Sequence, residues 1–180
     1  LMLTPSGAGV KCLKKLARAD RMPTRRTELF VTPAELTRMD LTAFVDNLVY
    51  EPTQTEGRGL DLTVGSVLQV TAPGRVDFGG GELDPAGTAP VETGKRDPAD
   101  EYSWWTLENG VYLIEYNETL SIPTDVSLVL QTRDAVRTGG AFHPTRHLTG
   151  GDTLGMVPLT VGGEGLKIKE NARLSTLLSV

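Results

Sequence analysis

Apolar positions along this chain fall in short runs with a period of two, and the densest lies between Gly110 and Val136. In Val111-Tyr112-Leu113-Ile114-Glu115-Tyr116, β-branched and aromatic residues crowd a run that Asn117 closes, which predicts a strand. Pro123-Thr124-Asp125 predicts a turn. After it, Val126, Leu128 and Leu130 alternate with Ser127, Val129 and Gln131, placing an apolar row on each face of a second strand. That strand delivers Arg133 and Asp134 to its end.

Elsewhere the pattern is more broken. Leu60 to Val70 reads as a strand with a turn or bulge at Gly65, preceded by a polar loop over Glu51 to Gly59. Tyr102, Trp104 and Leu107 mark a further strand with Trp105 on its other face, and Glu108-Asn109-Gly110 is the strongest hairpin signal in the chain, joining it to the Gly110 run. One short helix is predicted. Thr32 is its N-cap, Pro33 its first residue and Glu35 the partner in a capping box, with Leu36, Met39 and Phe44 facing inward. Between Pro73 and Ala99, Gly79-Gly80-Gly81, Asp84-Pro85, Ala89-Pro90 and Asp97-Pro98 leave no room for a strand of ordinary length, so an exposed insertion is expected. The glycine triplet lacks the Gly-Lys-Ser/Thr ending of a phosphate loop.

Composition narrows the class. Twenty Gly and eleven Pro in 180 residues favour many short strands and turns in one domain, and a single Cys12 excludes an internal disulfide and a cysteine-rich zinc site. No apolar run is long enough to span a membrane and no secretory signal is seen, so a soluble, cytoplasmic protein without membrane partners is expected. Charge is unevenly placed: residues 1–26 hold seven basic side chains against Asp20 alone, in a chain of net charge −5. The division expected is a poorly ordered basic arm, 1–26, with Met22-Pro23 as an alternative start, and a single β domain, 27–180. An acidic body argues against nonspecific nucleic-acid binding by the domain, the arm lacks interleaved aromatics, and no specific nucleic-acid partner is expected.

The order of these segments resembles the dUTPase and dCTP deaminase superfamily. The resemblance rests on the strand, proline corner and strand ending in Arg133-Asp134-Ala135, and on the early Gly59-Leu60-Asp61-Leu62-Thr63-Val64-Gly65. Downstream, Gly155-Met156-Val157-Pro158-Leu159-Thr160-Val161 and Ala172-Arg173-Leu174-Ser175-Thr176-Leu177-Leu178 look like the last two core strands of that family. The span covered runs from about Val49 to Val180. It implies an all-β fold, a distorted jelly-roll barrel of short strands (a β-clip), assembled as a homotrimer with sites between subunits. It also implies a deoxynucleoside triphosphate as substrate, dUTP cleaved to dUMP and pyrophosphate, with Mg²⁺ bound through the substrate phosphates.

Site residues carry over one at a time. Arg133 stands where the family's Arg-Ser-Ser-like motif binds phosphates, and Asp134 replaces a hydroxyl with a carboxylate. Arg133 is equally read as the partner of Asp134 or of a neighbouring subunit in a salt bridge. Asp61 matches an acid that helps hold magnesium-bound triphosphate, or is a buried acid paired with an arginine. Arg173 matches an arginine of the last strand, and Thr176 replaces a glutamine. The resemblance places the water-activating Asp of the dUTPases at Gly150, with Asp152 two residues late, so Asp152 is the candidate base and His147 and His143 are secondary, each equally read as an ordinary surface histidine of a polar loop. The deaminase general acid/base, a glutamate, is replaced by Thr160, which has no accessible second protonation state. A zinc-dependent deaminase is excluded by the lack of His-x-Glu with Pro-Cys-x-x-Cys. Family members usually continue beyond the position of Val180 into a tail that closes over the nucleotide. Three readings stay open: a dUTPase-type hydrolase, a catalytically degenerate nucleotide-binding or structural trimer, and a β-barrel subunit with an unrelated partner.

Overall fold

The computed structural model describes residues 40–180. The basic arm, the boundary at residue 26 and the helix start at Thr32 lie outside the described residues. Among the described residues a 3-10 turn (Leu41–Phe44) is followed by twelve strands and two short α-helices in the order β1 (Val45–Asp46), α1 (Glu51–Gln54), β2 (Leu60–Ala72), β3 (Gly87–Pro90), β4 (Trp104–Leu107), β5 (Gly110–Tyr116), β6 (Thr119–Leu120), β7 (Ser127–Thr132), α2 (Asp134–Thr138), β8 (Ala141–Phe142), β9 (Arg146–Thr149), β10 (Val157–Val161), β11 (Leu166–Lys169) and β12 (Arg173–Ser179). One curled antiparallel sheet runs β8-β10-β5-β2-β12-β7-β9, with β3 added to β2, and β1-β6 and β4-β11 form two separate pairs. This is an all-β fold of the expected class.

β2 organises it. Its first half, Leu60 to Thr63, pairs with β12, and its second half, from Val64, pairs with β5 and then β3. The change of partner falls beside Gly65, where the register slips between Val64 and Ser66 and the strands run so close that a Cβ would lie 2.9 Å from the Asn117 side chain. Leu60 and Leu62 enter one apolar core with Leu128, Leu130, Leu148 and Leu177, while Val64 and Val67 enter a second with Trp105, Ile114, Leu159 and Leu174. Because the sheet curls, the two cores sit on different stretches of the same strand. The other face of the first half carries Asp61 and Thr63, both buried, and that polar face is where the site is built.

Several expectations are corrected. The Glu108-Asn109-Gly110 turn joins β4 to β5, yet these strands do not pair: β4 pairs with β11, and β5 with β2 and β10. Trp105 and Leu107 share the buried face of β4, so the corner carries the chain from one sheet to another, and the Tyr112 hydroxyl donates to the Glu108 carbonyl across it at 3.0 Å. The polar loop after Glu51 begins with the single helical turn α1, whose Gln54 is 2 % exposed. The insertion contains a strand after all, since β3 completes the edge of β2; Val76, Phe78 and Leu83 nevertheless stand in solvent.

Candidate functional site

Asp61 is 4 % exposed and carries the charge at the centre of the polar face. Its Oδ2 faces Arg133 Nε at 3.1 Å and Arg173 Nη1 at 3.2 Å, and its Oδ1 accepts from the Thr176 hydroxyl at 2.6 Å. Arg173 also donates to the Thr53 carbonyl and to Glu56, each at 2.7 Å. Arg133 therefore pairs with Asp61, and the expected alternative, a bond to Asp134, does not form. A carboxylate so nearly sealed from water requires both cations, because an unpaired buried charge is costly.

The grouping depends on a bulge. Arg173 and Thr176 are three residues apart, a spacing that puts them on opposite faces of a regular strand. β12 slips register between Arg173 and Ser175, so Arg173 pairs with Thr63 and Thr176 with Asp61. Both side chains then reach one carboxylate. β12 also pairs with β7, where the Arg133 N–H donates to the Leu174 carbonyl at 3.0 Å.

Outward from Asp61 lies a cleft of ≈ 220 Å³ lined by Arg58, Gln131, Arg133, Asp134, Arg137 and Thr176 among others. Arg133 meets Asp61 through Nε, and among the described residues its two terminal amino groups make no hydrogen bond, which suits them to another anion. Asp134 opens α2 and accepts from Arg137; that bond, with the charges of Arg137 and Arg58, holds the exposed Asp134 carboxyl below its usual range. Arg58 and Arg137 were not singled out from the sequence. The signal that would have found Arg137 is its i, i+3 spacing from Asp134 in a helix. The cleft thus presents three guanidinium groups, and its two carboxylates, Asp61 and Asp134, are each engaged by arginine.

Behind this cluster the buried polar groups are satisfied. Glu118, 2 % exposed, accepts from Gln54, from the Thr63 hydroxyl and from the Thr63 N–H at 2.6–2.8 Å. His143, expected on the surface, is 5 % exposed. Its Nδ1 lies 2.8 Å from the Pro144 carbonyl and its Nε2 2.8 Å from the Ser175 hydroxyl, which meets Tyr116 Oη at 2.5 Å. Burial pushes the His143 imidazole below its ordinary 6.5, the Pro144 contact opposes this, and the charges of Arg146 and Arg137 add to it. A depressed folded pKa means that the unfolded chain takes up the proton first as pH falls. Stability from this group is therefore complete above 6.5 and is lost as pH drops from there through the folded value. Urea midpoints measured from pH about 7.5 down to about 5 should fall more steeply for the natural chain than for His143→Gln; equal slopes would refute this.

The two candidate bases lie elsewhere on the chain. Asp152 is exposed in the β9–β10 turn, where its Oδ2 accepts from the Thr149 N–H at 2.7 Å and the Thr149 hydroxyl at 3.0 Å, contacts that lower its pKa. His147 is exposed on β9, opposite Val129 of β7. Neither lines the arginine cleft. Gly150 packs against the corner at Pro123-Thr124, and Thr160 lies half-buried on β10 between Val111 and Phe142. Among the described residues no group of three or more His, Cys, Asp or Glu side chains is placed to hold a metal ion. No described helix is long and apolar enough to cross a membrane.

No family model matches the chain. It is 29% identical over 136 residues to a probable deoxyuridine 5'-triphosphate nucleotidohydrolase of Methanosarcina mazei, over 74% of this chain and 76% of the relative. To the protein of the same name from Halobacterium salinarum it is 34% identical over 94 residues, covering 50% of this chain and 53% of that one. Among solved structures, the 2'-deoxycytidine 5'-triphosphate deaminase of Agrobacterium tumefaciens shares the fold, with a TM-score of 0.51 and 18% identity over 76% of this chain. The chain is thus similar in sequence to probable dUTP nucleotidohydrolases and in fold to a dCTP deaminase. The fold match spans 42% of the deaminase chain, so the likeness concerns one part of that protein. β7 leads into the triplet Arg133-Asp134-Ala135. Its arginine is fixed from behind by Asp61, and its second residue meets Arg137.

Proposed function

We propose that this chain is a dUTPase-type hydrolase that cleaves dUTP to dUMP and pyrophosphate. The observation that carries the reading is the convergence of Arg133, Arg137 and Arg58 on one cleft, with Arg133 held by a carboxylate that does not occupy its terminal amino groups. Such groups bind phosphate oxygens in pairs and stabilise the charge that grows on them as the anhydride breaks. Water attacks the α-phosphorus, the bond to the bridging α–β oxygen breaks, pyrophosphate leaves, and a base takes the water's proton. The names of the relatives support dUTP as the substrate.

Asp61 has both oxygens engaged, so the residues present do not form a metal cage. Mg²⁺ fits this site as a partner of the phosphate oxygens, where it would neutralise charge on the polyphosphate. Because the cleft contains neither Asp152 nor His147, the reading includes a homotrimer in which a neighbouring copy brings one of these bases to the α-phosphorus. dCTP deamination is not proposed, since Thr160 cannot act as the general acid/base of the family route. A catalytically degenerate trimer that binds nucleotide is the second reading, favoured by the Asp134 carboxylate at the cleft and by the lowered basicity of Asp152.

Pyrophosphate release from dUTP with Mg²⁺ separates the two. The hydrolase reading expects turnover by the natural chain, a loss of about a hundredfold or more in Arg133→Ala, and a comparable loss in Asp152→Asn or His147→Gln, whichever is the base. Thermal stabilisation by dUTP without turnover would establish the degenerate reading. An inert chain whose melting no nucleotide shifts would overturn both.

A further inference from the structure

We propose that His143 is a positioning residue for the phosphate-facing arginines, acting through Ser175 and Thr132, and that gaining a proton withdraws this support. The inference rests on the nucleotide-binding reading above. It starts from where the imidazole sits. Thr132 directly precedes Arg133 on β7, and its hydroxyl both accepts from the His143 N–H at 2.9 Å and donates to the His143 carbonyl at 3.1 Å. Ser175 directly precedes Thr176 on β12, is fully buried, and is the register partner of Thr132. One histidine is thus bonded, through backbone and ring, to the residue before each of two groups that meet at Asp61.

The direction of the hydrogen bonds follows from the partners. The Pro144 carbonyl can only accept, so Nδ1 carries the proton and Nε2 is an acceptor. The Ser175 hydroxyl then donates to Nε2, and Tyr116 Oη–H donates to Ser175 Oγ. Every donor and acceptor in this chain is used once. Adding a proton at Nε2 sets two donors facing each other. Ser175 must turn its proton toward Tyr116, and Tyr116, half-buried, must find a new acceptor. Among the described residues the side chains bonded to His143 are Ser175 of β12 and Thr132 of β7, with Tyr116 of β5 behind Ser175 and Arg137 of α2 and Arg146 of β9 nearby, and none of these is acidic. The imidazolium is relieved by leaving the pocket, which loosens the Thr132 and Ser175 contacts and with them the spacing of Arg133 and Thr176 about Asp61. Burial already holds the imidazole neutral at pH 7.

The test is calorimetric titration of the full chain with the non-hydrolysable α,β-imido analogue of dUTP, at pH about 8 and about 5.5, for the natural protein, His143→Gln and Ser175→Ala. Protonation of the analogue's own phosphates is common to all three and cancels. The expected result is that acidification weakens binding by the natural chain at least about fivefold more than by either variant, the lower end of ordinary coupling between sites. The glutamine of the His143→Gln protein keeps an acceptor for Ser175 and cannot titrate, while Ser175→Ala breaks the link and leaves the histidine in place. Equal acid losses in all three proteins, with binding intact at pH about 8, would overturn the positioning role and leave the nucleotide-binding reading standing. A loss in Ser175→Ala as large as that of the natural chain would overturn the route through Ser175. Failure of all three to bind at the higher pH would remove the nucleotide-binding reading, and this inference with it.

Discussion

Asp61→Asn is expected to lower the melting temperature by about 5–10 °C and dUTP turnover about a hundredfold. The substitution keeps the shape of the side chain and an acceptor for the Thr176 hydroxyl. It places an amide N–H₂ or an uncharged oxygen where Arg133 Nε and Arg173 Nη1 now share a carboxylate oxygen at 3.1 Å and 3.2 Å. Two guanidinium groups, each about three-quarters buried, then face one another without the charge between them. Breaking a fully buried pair costs about 3–5 kcal/mol, and partial exposure of the arginines reduces this to about 2–3 kcal/mol. The kinetic loss has a separate origin. Arg133 that moves by about 1 Å no longer meets the phosphate oxygens in the orientation the reaction needs. Assays well below the melting temperature distinguish misplacement from unfolding. A melting curve identical to that of the natural chain would mean that Glu56 and the Thr53 carbonyl hold Arg173 without help from Asp61.

Gly150→Asp is expected to destabilise the chain by about 3 kcal/mol and to leave hydrolysis no faster. Read along the sequence, this substitution restores an acid where the dUTPases carry their water-activating carboxylate, and a gain of activity is the natural expectation. The fold reverses it. A Cβ at Gly150 would lie 2.3 Å from Thr124 Cα and 2.7 Å from both the Pro123 carbonyl oxygen and the Thr124 nitrogen. All three are backbone atoms of the corner between β6 and β7, so no flexible side chain can swing aside. The change must push the β9–β10 turn off that corner, and Asp152, bonded to Thr149 in the same turn, moves with it. Chemical denaturation and pyrophosphate release on one preparation measure both effects. A variant as stable as the natural chain and faster on dUTP would show that the turn sits differently and that Gly150 does occupy the catalytic position.

Much of the fold was legible because period-two alternation is local. The strands at Val111, Val126, Leu60 and Ala172 all form, and Arg133 and Asp134 fall at the end of β7 as the alternation requires. Gly65 marks a true break in register. The pairing of strands was not legible in the same way. An Asn-Gly turn next to two apolar runs predicts a hairpin, and what decides otherwise is that Trp105 and Leu107 bury against a core shared with Ile168, on a strand far along the chain.

The site divides along the same line. The charged side chains at strand ends can be read along the chain, and Arg133, Asp134, Asp61 and Arg173 are all visible there as candidates. Their partners depend on strand pairing. A bulge in β12 brings Arg173 and Thr176 to one face, and the register of β2 against β12 sets Asp61 opposite Thr176. His143 reads as a surface residue in a Pro/Thr-rich segment, yet β8 and β9 fold it beneath Ser175, where burial governs its protonation. Side-chain type and alternation are properties of neighbours along the chain and survive in the sequence. Register, bulges and burial come from strands far apart closing one sheet, which settles whether a carboxylate meets an arginine or water.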